Sequence, residues 1–117
     1  MFPNIRAVAA ANSDLVALIG NKFYKFGMAP PNVVAPYVTW YSVFGEPQNQ
    51  LADTPAADRY TIQVDCWADT SEQAEDVATA VRNCFELIGY MTSSGNSRDP
   101  ATLRFRIMLQ FSIWSLR

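Results

Sequence analysis

The sequence predicts an α+β domain: a mainly antiparallel sheet of three to four strands, one long helix packed on one face, and an N-terminal helical segment. Three observations predict it. Tyr60, Ile62, Val64 and Cys66 alternate with Thr61, Gln63, Asp65 and Trp67, the period of two expected of a strand with unlike faces. Directly afterwards Ala74, Val77, Ala78, Val81, Phe85 and Ile88 recur at helical spacing and fall on one stripe. A second alternating run closes the chain, with Leu103, Phe105, Ile107, Leu109, Phe111 and Ile113 on one side.

The first elements are helical. Ile5 to Ala11 is Ala-rich, with Pro3 acceptable near a first turn. Asn12-Ser13-Asp14 interrupts it and offers a cap to a second short helix through Leu15, Val16, Leu18 and Ile19, closed by Gly20. Phe23, Tyr24 and Phe26 read as an irregular arm or short extended piece, broken by Gly27 and Pro30-Pro31. Tyr37 to Phe44, rich in Val, Thr, Tyr, Trp and Phe, favours a strand.

Gly45 to Asp58 then forms a long connection with little apolar anchoring, expected to be mobile in the free subunit and ordered by a partner. Its residues Glu46, Gln48, Gln50, Leu51 and Asp53 are the candidate partner-contact loop. The strand Arg59–Ala68 follows, then the helix Ser71–Ile88. Thr70 with Gln73 fits a capping box, and Gly89 sits where a left-handed C-terminal cap belongs. Tyr90 to Thr92 reads as a brief strand and Ser93 to Pro100 as a polar turn.

The last strand, Thr102–Ser115, would span roughly 46 Å at its usual rise. A compact domain of this size is about 35 Å across. The strand must therefore bend at a bulge or overhang its own sheet, where a neighbouring subunit can pair with it.

Composition bounds the function. The 117 residues suit a single domain spanning 1–117; half are hydrophobic, which supplies a core. Aromatic residues make up 13% and charged residues only 17%, a balance that favours surface hidden in an oligomer over a monomer. Net charge is −2 with no basic run, which argues against sequence-specific nucleic-acid binding. The chain has no histidine, so the commonest general base and metal ligand are missing. Glu72, Glu75 and Asp76 are densest near Asp65 and Asp69, but they occupy the first turns of a helix, where its dipole favours negative charge. No serine has an activating base. No catalytic residue, metal ligand or cofactor is expected, and Cys66 and Cys84 read as buried, reduced thiols. The N-terminus lacks the pattern of a signal peptide and no apolar run is long enough to span a membrane, so a cytoplasmic product is expected.

On the less apolar side of the last strand stand Arg104, Arg106 and Trp114. With matching registers they share a sheet face with Gln63, Asp65 and Trp67. These residue types are enriched at protein interfaces, and Arg104, Arg106, Trp114, Trp67 and Gln63 are the candidate subunit interface. If that face is exposed, Arg106→Glu should leave the monomer folded while blocking assembly.

The order of features then becomes informative as a whole. Asn12-Ser13-Asp14 precedes Leu18-Ile19-Gly20 and Phe23-Tyr24; Pro36-Tyr37-Val38 and a Pro-bearing loop lead to Arg59-Tyr60-Thr61-Ile62-Gln63-Val64-Asp65-Cys66-Trp67-Ala68. A helix with Ala74-Glu75 and Ala80-Val81-Arg82 follows, and Phe111-Ser112-Ile113-Trp114 closes the chain. This resembles the tail-completion, or tail-terminator, proteins of long-tailed bacteriophages, some also called head–tail joining proteins. The resemblance implies a structural virion protein without enzymatic activity, assembled in the host bacterial cytoplasm. It further implies a hexameric ring that caps the finished tail tube, stops its polymerisation and joins tail to head while the genome passes through. The implied partners are further copies of the chain, the tail tube protein and a head–tail connector or neck protein, with no membrane. Another neck or connector protein is the nearest alternative. A small ligand-binding or enzymatic α+β domain would need a pocket of converging ionisable groups, and a cytosolic adaptor would not close a ring.

Overall fold

The computed structural model describes residues 5–25, 28–30, 32–47 and 57–116. Among these residues the chain runs α1 (Ile5–Ala10), α2 (Ser13–Ile19), β1 (Phe23–Lys25), β2 (Tyr37–Pro47), β3 (Ala57–Ala68), α3 (Ser71–Phe85), β4 (Gly89–Arg98) and β5 (Phe105–Leu116). The strands form one sheet in the order β1-β2-β3-β5-β4. Every pairing is antiparallel except β1 with β2. The α+β class and the mainly antiparallel sheet stand as expected; the sheet has five strands where three to four were predicted.

Local chemistry fixes the helix ends. The Asn12 Oδ1 accepts from the Leu15 amide at 2.9 Å, and Gly20, at φ 64°, returns its own amide to the Val16 carbonyl at 2.7 Å. At α3 the Thr70 hydroxyl accepts from the Gln73 amide at 3.1 Å. The helix closes at Glu86, short of Ile88, with Arg82 in its last turn paired to Glu86. Gly89 is therefore not a left-handed cap. It opens β4, where a Cβ would lie 2.1 Å from the Ser112 carbonyl oxygen, so glycine serves close strand approach.

The predicted stripe of α3 is buried from Ala74 to Phe85, and Ile88 packs partly against the same core. Ala80 and Cys84 are buried as well, because α1 and α2 cover the flank of α3 that the sheet does not reach. Val38, Trp40, Ile62, Val64, Cys66, Leu109, Phe111 and Ile113 form the sheet side of the core. At its centre Phe85 stands 6.2 Å from Phe23 and 5.5 Å from Phe111, ring centre to ring centre. Cys66 and Cys84 are free and buried, and the Cys84 thiol donates to the Val8 carbonyl at 3.4 Å.

Four expectations change. β5 has no overhang: every residue from Phe105 to Leu116 pairs with β3, which is equally long. Bulges occur in the flanking strands, at Val43 in β2 and Thr92 in β4. The long strands are accommodated by an elongated molecule, 51 × 28 × 23 Å. β5 also starts at Phe105 and not Thr102, which leaves Leu103 exposed at a turn and off the inner face. The polar stretch read as a turn is most of β4, a ten-residue edge strand whose hairpin pairing with β5 overrides the weak strand preference of Ser, Asn and Gly. Finally, β2 and β3 stay paired to Pro47 and Asp58, so Gly45, Glu46, Pro47, Ala57 and Asp58, read as part of the connection, are strand. Glu46 lies in β2 opposite Arg59; its side chain, together with Gln48, Gln50, Leu51 and Asp53, falls outside the described residues.

Candidate interaction face of the sheet

The helices cover one face of the sheet, and strand alternation sends the other half of the side chains away from them. Register then sorts these into rows. The first row is Tyr37, Trp67, Arg106 and Ser97, the next Thr39, Asp65, Met108 and Gly95, and the third Tyr41, Gln63, Gln110 and Ser93. Arg106 thus stands directly across from Trp67, as the matched registers required. Trp114 stands across from Arg59 further along, its side chain outside the described residues.

The first row and Arg104 form a ladder of cations and rings. The Tyr37 and Trp67 rings stack at 5.9 Å with planes 8° apart. Arg104 lies over Tyr37 at 5.4 Å and Arg106 over Trp67 at 5.6 Å. Each ring or cation is also tied by hydrogen bonds. The Trp67 Nε1 donates to the Thr39 hydroxyl at 3.1 Å, and Arg106 Nη2 donates to Asp65 Oδ1 at 3.2 Å. Arg104 Nη2 donates to the Val33 carbonyl at 2.8 Å and Nη1 to the Tyr37 hydroxyl, with Asp69 nearby at 3.8 Å. The Asp65 Oδ1 also accepts from Gln63 Nε2 at 3.2 Å, and Ser93 donates to Gln110 Oε1 at 3.0 Å.

These contacts make the face ordered and partly dry. Thr61, Gln63 and Asp65 are only 7–8% exposed although no helix covers them, and the Arg106 Nε and Ser112 Oγ are buried without a partner. One consequence corrects an expectation. Arg106 is not a free surface charge: its side chain is one-third exposed and its carboxylate partner is one-tenth exposed. A glutamate there would set two carboxylates side by side in a poorly solvated row, so Arg106→Glu does not leave the monomer untouched. The exposed positions of the same face are Tyr90, Ser93 and Ser97 on β4. Tyr37, Thr39 and these β4 residues were not among the predicted site residues. Parity along Tyr37-Val38-Thr39 carried the signal for the first two.

Chemically the face offers rings, guanidinium groups, amides and hydroxyls for binding. Among the described residues no three His, Cys, Asp or Glu side chains lie together as a metal site. Glu72, Glu75 and Asp76 are exposed along the start of α3. Burial raises the thiol pKa of both cysteines, with the neighbouring Asp65 charge adding to the effect at Cys66, which disfavours the reactive thiolate.

The sequence matches the family model of the tail completion protein gp17 over residues 3–116. The chain belongs to the tail completion protein gp17 family. Membership makes it a structural protein of a phage-type tail, and an enzymatic role does not fit that class. Its fold is also that of a component in the solved virion of a native gene transfer agent particle. That match has a TM-score of 0.73 at 18% identity, over 97% of this chain and 92% of the other. No curated protein matches the sequence. No helix among the described residues of this tail completion protein is long and apolar enough to cross a membrane.

Proposed function

We propose that this tail completion protein forms a closed ring, hexameric as in the proteins it resembles, that caps the finished tail tube. There it stops tube polymerisation and joins the tail to the head, contacting further copies of itself, the tail tube protein and a head–tail connector. The observation that carries this reading is the uncovered sheet face, with its ladder of Arg104, Tyr37, Trp67 and Arg106 beside the exposed row of β4. Arginine and aromatic residues held rigid before binding lose little freedom on contact, which favours tight association. The likeness in fold to a component of a gene transfer agent particle supports a place in a phage-type virion.

The test uses exposed residues that leave the ladder intact. Ser93→Glu and Tyr90→Glu add charge to the β4 end of the face, off the Arg106 row, and should each change stability by about 1 kcal/mol at most. In cells making a complete set of tail proteins, the double variant should yield tails of uncontrolled length that do not join heads. Normal tails joined to heads would reject the face as an assembly surface. A neck protein acting only after tail completion would instead leave tail length normal and lose head joining alone.

A further inference from the structure

The last strand of the sheet has an open edge. Among the described residues β4 pairs with β5 alone, so the outer side of a ten-residue strand is left without a strand partner. Folded chains blunt such edges with charge, proline, bulges or short length. The other side of the sheet does so. β1 pairs with Val38 to Trp40 of β2, and beyond it β2 carries a bulge at Val43, then Glu46 and Pro47. β4 does not. Gly89 to Ser97 contains no charged residue and no proline, and the bulge at Thr92 leaves Ser93 to Arg98 regular.

A trough runs beside this edge, between β4 and α3. Its wider part is about 210 Å³, with Ala78, Met91, Ile107 and Leu109 as apolar lining and Glu75 and Arg82 on the helix side. Met91 and Ile107 are only partly buried. Glu75 also reaches the narrower end beside Asn96 and Ser97. Arg82, about two turns further along α3, stands at the end beside Met91.

We infer that two copies of the free protein pair antiparallel through β4, continuing the sheet of one chain into that of the other. Strand parity limits the register, since paired residues must share a face. With Gly95 on the two-fold axis, Ser94 lies across from Asn96 of the second copy, and Ser93 across from its Ser97. Both α3 helices then stand on the same face, and the two troughs open onto each other, which covers Met91 and Ile107. The same symmetry turns the Glu75 end of each helix toward Arg82 of the other, giving an ion pair that occurs twice. Arg82 holds Glu86 through Nε and has Nη donors to spare for such a pair. This charge match makes the occupant a second copy. A head-to-tail ring contains no two-fold contact, so the pairing belongs to the protein before assembly and is released when a ring forms.

Sedimentation equilibrium of the full chain, without other tail proteins, tests this. The parent should form a dimer with a dissociation constant of about 1–10 µM, in keeping with a small transient contact. Ser94 is exposed, and Ser94→Lys places two lysines beside the axis. It should abolish the dimer and leave the circular dichroism spectrum unchanged. Glu75→Arg and Arg82→Glu each turn two attractions into two repulsions and should weaken the dimer about tenfold. Combined in one chain they restore opposite charges, and the affinity should return to within about threefold of the parent. A merely structural role of either residue would not be rescued by this swap. A parent that stays monomeric at about 0.1 mM, or a dimer that withstands Ser94→Lys and both reversals, overturns this contact and leaves the ring proposed above untouched.

Discussion

The polar face depends on a few residues whose charges are only partly hydrated. Asp65 accepts from both Gln63 and Arg106, so its charge is neutralised within the sheet and not by water. Arg106→Glu should therefore lower unfolding free energy by about 2–4 kcal/mol, somewhat less than the ~3–5 kcal/mol for breaking a fully buried pair because the Arg106 side chain is one-third exposed. Adding Asp65→Asn should recover part of the loss by removing the facing carboxylate. Chemical denaturation of the two single variants and the double variant measures the coupling directly; strictly additive losses would mean that Arg106 and Asp65 do not interact. The cysteines give a second prediction at this scale. Burial holds their folded-state pKa above the ordinary thiol value of 9.0, so the folded state keeps protons that the unfolded chain gives up. Their contribution is complete below that pH and is lost as pH rises beyond it, at up to about 1.4 kcal/mol per pH unit for each thiol. Denaturation between pH 8 and 10 should show a shallower decline for Cys66→Ala than for the parent. Identical slopes would remove the linkage to Cys66.

At the scale of elements, α3 holds the two halves of the core together. Phe85 is fully buried between Phe23 of β1 and Phe111 of β5, so Phe85→Ala should cost about 3–5 kcal/mol. A parent-like melting curve would contradict that docking. Gly89→Ala should also destabilise, by about 1–3 kcal/mol, because the new methyl meets the Ser112 carbonyl of the paired strand. A melting temperature equal to the parent's would show that β4 can move away without loss. β3 and α3 were legible in the sequence because their apolar positions follow one period without interruption. β4 was not, since an edge strand need not bury an alternating set, and Thr92-Ser93-Ser94-Gly95-Asn96 carries turn chemistry. β1 is three residues long, too short for any period to register. At the start of β5, Leu103 continues the parity of Phe105 and Ile107, yet the turn rotates it outward. Periodicity cannot see a backbone that leaves the strand.

For the whole molecule, the sheet is long because β2, β3 and β5 extend together, and the helices cover only one of its faces. The candidate site was legible where it depends on parity, which placed Arg106 beside Trp67 on one face. It was not legible where it depends on neighbours distant in sequence: Tyr37 and Thr39 complete the ladder from β2, and the Val33 carbonyl anchors Arg104. Burial was also invisible in the sequence, which is why Arg106 looked like a replaceable surface charge.

The proposed ring would sit at the head-proximal end of the tail. Electron microscopy of assembled tails, with the protein carrying a small affinity tag detected by gold, tests it most directly. A terminator ring would place label at that one end only, on an annular density with six-fold symmetry, and tails made without the protein would be of uncontrolled length and unjoined to heads. Label distributed along the tube, or tails of normal length and head attachment in the protein's absence, would contradict it.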